Sequence, residues 1–117
     1  MTKWYETVLG MAVVFETFSP LGKNVPITLS AAWVTNDEAN HRIGLIAIPQ
    51  LTKDPQRSNH ARLQRIAYEY NSLDELLQTY VRLKQAGITP LLSADHGPTT
   101  SMYYEDPDGN SVEPVRG

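Results

Sequence analysis

A chain of 117 residues is long enough to bury one hydrophobic core and too short for two independent domains. Apolar residues at 41% and charged residues at 20%, with no low-complexity tract, exclude a disordered chain, and a formal charge of −3 gives no broad positive field for nucleic acid. The absence of cysteine excludes disulfide scaffolds, thiolate zinc sites and thiol nucleophiles together.

The chain opens with a short predicted helix over residues 3–9, ended by Gly10. Three strands follow, over residues 11–18, 27–34 and 42–48. Residues 53–59 are polar, contain Pro55 and lack periodicity, so they read as a linker and surface loop. Lys53, Arg57, Arg62 and Arg65 cluster here, but no aromatic residues interleave with them as nucleic-acid binding would favour.

Beyond the linker, residues 63–70 read as a strand, because Ile66, Tyr68 and Tyr70 alternate with Arg65, Ala67 and Glu69. Residues 72–86 carry the strongest helical signal. Leu73, Leu76, Leu77, Tyr80, Val81 and Leu83 fall at helical spacing, Ser72 is the N-cap with Glu75 three residues on, and Gly87 is the stop. The stripe Leu73, Leu76, Tyr80 and Leu83 is expected to be core. Short strands over 89–94, 101–105 and 111–115 complete the chain, the last two joined by a tight turn at Asp106-Pro107-Asp108-Gly109-Asn110. That turn superficially suggests a calcium loop, but its glycine falls at the fourth position rather than the sixth.

The two halves repeat one order of elements, and Tyr5-x-x-Val8 before Gly10-Met11 echoes Tyr80-x-x-Leu83 before Gly87-Ile88. The fold class is therefore α+β: two βαβββ-type modules, the first lacking its first strand. Module one covers about 1–52, the linker 53–59 and module two about 60–117 of a single domain. An incomplete first module leaves a sheet edge with unpaired backbone groups, so a homodimer is expected. No apolar run reaches the ~20 residues of a membrane span and no signal-peptide pattern opens the chain, so no membrane partner and a cytoplasmic location are expected.

With Tyr103-Tyr104-Glu105-Asp106-Pro107-Asp108-Gly109-Asn110-Ser111-Val112-Glu113 at its end, this arrangement resembles the vicinal oxygen chelate superfamily of glyoxalase, bleomycin-resistance and extradiol dioxygenase proteins. Three stretches are most similar to type I extradiol ring-cleavage dioxygenases: Ala39-Asn40-His41-Arg42-Ile43, Leu63-Gln64-Arg65-Ile66-Ala67-Tyr68, and His96-Gly97 followed by Tyr103. The resemblance implies a curved mixed sheet forming a cavity, a dihydroxylated aromatic substrate and a ferrous ion, Fe(II), held by two histidines and one carboxylate. Glu113 matches the carboxylate ligand, while Arg65 falls where the second histidine would stand and has no lone pair to donate. The other histidine would lie on the strand that module one lacks. Metal is therefore expected to bind weakly or not at all.

The same resemblance makes His41 an acid/base residue, His96 a substrate contact and Tyr103 a tyrosine beside the catecholate, a catalytic and substrate-binding set that Arg65 joins. Taken without it, His41 is a polar residue opening a strand, His96 a turn residue, and Tyr103 ordinary sheet packing. Burying Glu113 unpaired would be costly, so Arg65 is expected to pair with it, bidentately if the geometry allows; the alternative is an Arg65 that points to solvent. Two functions follow. One is an extradiol dioxygenase acting on an aromatic diol, and the other a metal-free protein holding a small aromatic or oxyanionic molecule. A glyoxalase-type isomerase or lyase is disfavoured, since its carboxylate is replaced around Ala47.

Overall fold

The structure is a computed structural model that describes residues 1–20, 28–95 and 97–117. Its chain forms two compact units, Met1–Pro55 and Gln56–Gly117. Ile27 and His96, both part of the expectations above, lie outside the described residues.

In the first unit, helix α1 (Thr2–Leu9) is followed by strands β1 (Ala12–Pro20), β2 (Thr28–Thr35) and β3 (Ile43–Ala47). Gly10 ends α1 at a φ of 63°, a left-handed conformation that costs glycine nothing. Its N–H donates to Glu6 O and that of Met11 to Tyr5 O, so the chain turns off the helix with its last carbonyls satisfied. Tyr5, Val8 and Met11 are thereby buried with Ala31, Ala32 and Val34. The three strands pair antiparallel in the order β1-β2-β3, with a bulge between Val13 and Phe15.

The second unit begins with a 3-10 turn, Arg57–Asn59, where the sequence reads as featureless linker. Strand β4 (Arg65–Glu69), helix α2 (Leu73–Gln85) and strands β5 (Leu92–Asp95), β6 (Thr100–Glu105) and β7 (Ser111–Arg116) follow. The sheet order is β4-β7-β6-β5, with β4 parallel to β7 and the other pairs antiparallel. The parallel pair needs a strand before the helix. The first unit has none among its described residues, and its sheet is antiparallel throughout rather than mixed.

Ser72 caps α2 as expected, its Oγ accepting the Glu75 N–H at 3.1 Å. Leu76 and Leu83 are fully buried and pack with Met102, Tyr104 and Val112 as the core of this unit. Leu73 does not join them and is 46% exposed, because at 3.6 residues per turn it stands about 60° round the helix from Leu76. Burial pushes the Tyr104 hydroxyl up to about 12, so this core stays uncharged across the usual pH range. No helix among the described residues is long and apolar enough to cross a membrane.

Candidate functional site

The register of the second sheet decides which side chains meet. Strand β7 pairs Glu113 with Ala67 and Ser111 with Arg65, while the β6–β7 register runs from Ser101↔Val115 to Tyr104↔Val112 and places Tyr103 across from Glu113. Residues directly opposite share a face, and successive residues alternate. Arg65, Ser101, Tyr103 and Glu113 therefore occupy one face, and the core residues Met102, Tyr104 and Val112 the other. A period of two puts a polar cluster on the back of an apolar core without disturbing either.

Arg65 Nε donates to Glu113 Oε2 at 2.7 Å. The contact is one hydrogen bond rather than the bidentate fork, because Arg65 reaches along the strand from beside Ser111 and meets the carboxylate with its inner nitrogen. Its Nη1 donates to Gln64 Oε1 at 2.7 Å, and the guanidinium carbon lies 5.5 Å from the centre of the Tyr103 ring. The pair is asymmetric in burial: the Glu113 side chain is 10% exposed and that of Arg65 44%.

Burial pushes the Glu113 carboxyl up, but the hydrogen bond and charge of Arg65, with the nearby Ser101 and Tyr103 hydroxyls, outweigh it and hold the group below the usual carboxylate range. The same bond to Glu113, with its charge, raises Arg65 further. Ser101 Oγ is buried, and its approach to the carboxylate falls outside the geometric limits of a formed hydrogen bond, leaving its hydroxyl only weakly engaged.

A second feature fixes β7 in place. Asp106 Oδ1 accepts the N–H groups of Asp108 at 3.0 Å and Asn110 at 2.8 Å, and Oδ2 accepts Asn110 Nδ2 at 2.9 Å. These oxygens organise the turn that delivers Glu113. Arg57 then crosses to the same turn, donating to the Asp108 carbonyl and, at 2.9 Å, to Asn110 Oδ1. Sequence reasoning places Arg57 in the linker and misses this role, since a contact across 51 residues leaves no local signal.

In the first unit, His41 is exposed, with Nδ1 2.6 Å from Asn40 Oδ1 and its ring 5.7 Å from Trp33, which packs edge-on against Phe15. Asp37 organises the loop that carries it. Its carboxylate accepts from Thr35 Oγ1, the Ala39 N–H and Arg42, whose Nη2 approaches Oδ2 to 2.6 Å. The Arg42 bond, the Ala39 N–H and the Thr35 hydroxyl together hold Asp37 at about 2. A signal existed in Asp37 with Arg42 five residues on, bracketing Asn40-His41. Of the expected site residues, Arg65, Tyr103 and Glu113 come together, His41 lies in the first unit, and His96 lies outside the described residues.

The described residues do not fit the three-ligand ferrous centre that the resemblance implies. Glu113 gives one oxygen to a guanidinium, whose fixed positive charge opposes a second cation beside it, and no group of three or more His, Asp or Glu among the described residues could hold a metal ion.

The glyoxalase/bleomycin resistance protein/dioxygenase superfamily model matches residues 1–113, and the chain belongs to that superfamily. Biphenyl-2,3-diol 1,2-dioxygenase 2 of Rhodococcus globerulus is 38% identical over 113 residues, covering 97% of this chain and 53% of the relative. Biphenyl-2,3-diol 1,2-dioxygenase 3 of the same organism is 36% identical, covering 97% and 54%. The chain thus spans about half the length of the curated relatives it matches. Among solved structures, a glyoxylase/bleomycin resistance protein/dioxygenase domain from Frankia sp. EAN1pec has a TM-score of 0.73 at 16% identity, covering 99% of this chain and 80% of that one. That likeness shows the fold.

Proposed function

We propose that this chain is an extradiol dioxygenase-like domain that recognises a dihydroxylated aromatic ring, with Arg65, Glu113 and Tyr103 forming its polar end. The observation that carries the reading is the Arg65–Glu113 contact of 2.7 Å beside the Tyr103 ring, in a chain 38% identical to a biphenyl-2,3-diol dioxygenase. An aromatic diol offers a flat apolar face and two adjacent hydroxyls. Tyr103 supplies a ring edge and a phenol, Arg65 a donor, and Glu113 an acceptor held ionised.

The resemblance further assigns an acid/base role to His41, in the first unit, and a substrate contact to His96. Because a cation already sits against Glu113, the pair favours recognition over ring opening in the chain as it stands.

The test uses protein treated with chelator and then, in parallel, reconstituted anaerobically with Fe(II). The expected result is thermal stabilisation by biphenyl-2,3-diol or catechol without iron, substoichiometric iron after reconstitution, and no yellow ring-opened product. Stoichiometric iron with ring cleavage would overturn the incomplete metal site. Failure of any diol to stabilise the protein would overturn the diol reading itself.

A further inference from the structure

The guanidinium of Arg65 is held from three directions: Nε by Glu113 at 2.7 Å, Nη1 by Gln64 at 2.7 Å, and its plane beside the Tyr103 ring at 5.5 Å. Glu113 is itself nine-tenths buried, backed by Ser101, and kept ionised. Three restraints on one flexible side chain leave little rotamer entropy to lose on binding, and so preorganise it. Only Nη2 has no partner among the described residues. Arg65 is 44% exposed while its counter-ion is 10% exposed, so the pair acts as a dipole with its positive end outward. A neutral pair in charge count thus offers a two-donor edge at the surface of the sheet.

The geometry points to an oxyanion subsite at the open edge of Arg65, which takes a carboxylate carried on the aromatic ring of the ligand. This rests on the aromatic-diol reading above and deepens it by naming a substituent. A carboxylate suits the edge because its two oxygens are ionised at neutral pH, whereas a phenolic hydroxyl, with a pKa near ~10, is not. Exposed Leu92, paired with Tyr103 on the neighbouring strand, supplies apolar surface on the same face for the ring.

The experiment compares catechol, its carboxylate protocatechuate, and benzoate by isothermal titration on chelator-treated protein. Protocatechuate is expected to bind about tenfold more tightly than catechol, the scale of one charge-assisted contact at a half-exposed arginine, and to lose that advantage at high salt. Arg65→Gln collapses the difference between the two ligands, and Arg65→Lys retains part of it because the charge remains without the flat edge. On the unmutated protein, the Arg65 side-chain nitrogen resonances shift further with protocatechuate and benzoate than with catechol, which keeps the test independent of how the variants fold.

Equal affinities for catechol and protocatechuate would overturn the subsite and leave the diol reading standing. Benzoate bound through Arg65 with no gain from added hydroxyls would keep the subsite and sink the diol reading. Binding of none of the three would overturn both.

Discussion

Arg65 places a fixed positive charge against the buried Glu113 carboxylate. That contact makes Glu113 the residue whose ionisation reports on the site. Its folded pKa lies below the ordinary 4.5, so the pair stabilises the fold above that value and the contribution is lost as pH falls through the lower folded value. In Arg65→Gln, burial acts on the carboxyl with its main opponent gone, so the pKa rises and the stability this group loses on acidification shrinks. Carbon-13 titration of the Glu113 carboxyl checks this: a midpoint in the wild type at or above that of Arg65→Gln would refute the pairing. Asp37 behaves in the same sense at lower pH, its contribution present above 3.8 and lost toward about 2, where the loop carrying His41 loses its anchor. Arg65, Tyr103 and Glu113 were named through the family resemblance, and the register of β4, β6 and β7 then puts all three on one face. Ser101 and Gln64 were not legible, because a serine or glutamine in a strand carries no signal until its neighbours are known.

At the scale of elements, helix α2 and the turn at 106–110 were readable from local chemistry alone: a serine cap, an apolar stripe, and a Pro-Asp-Gly-Asn reversal. Ser72→Ala is expected to destabilise the second unit by about 1 kcal/mol through loss of the cap. Leu76→Ala, at a fully buried position, should cost about 2–5 kcal/mol. Both are checked by chemical denaturation. The contact between the 3-10 turn and the β6–β7 turn was illegible, since it joins segments that only tertiary structure brings together. Gly109 has a φ of 84°, and a Cβ there would lie 3.1 Å from both Arg57 Nη1 and Glu105 Oε1. Gly109→Ala therefore combines a left-handed backbone cost of about 1–2 kcal/mol with displacement of the Arg57 side chain. Arg57→Ala removes the latch and leaves the backbone conformation intact, so the alanine at 109 should be the more damaging of the two. A larger loss for Arg57→Ala in the same denaturation series would show that the latch, not the turn, positions β7.

For the whole molecule, the internal repeat was visible in the two helix stops, and the structure bears out the α+β class, with a sheet and an α-helix in each unit among the described residues. The strand orders were less visible, because the parallel β4–β7 pair joins the first and last strands of the second unit and no local pattern announces it. A consequence remains at the edge of the first sheet. Among the described residues, strand β1 is outermost in the order β1-β2-β3 and carries Val14, Phe15 and Phe18 at 50%, 53% and 82% exposure. An apolar edge strand of this length invites pairing with another chain, since it offers both free backbone groups and surface to bury. The protein is therefore expected to sediment as a homodimer at micromolar concentration. Phe18→Asp should shift the equilibrium toward monomer by at least tenfold, because it places a charge in the newly formed contact while altering a side chain that is outside the core of its own unit. Sedimentation velocity of the two proteins decides the matter: a wild type that stays monomeric, or a Phe18→Asp variant that dimerises equally well, would rule out β1 as the pairing edge.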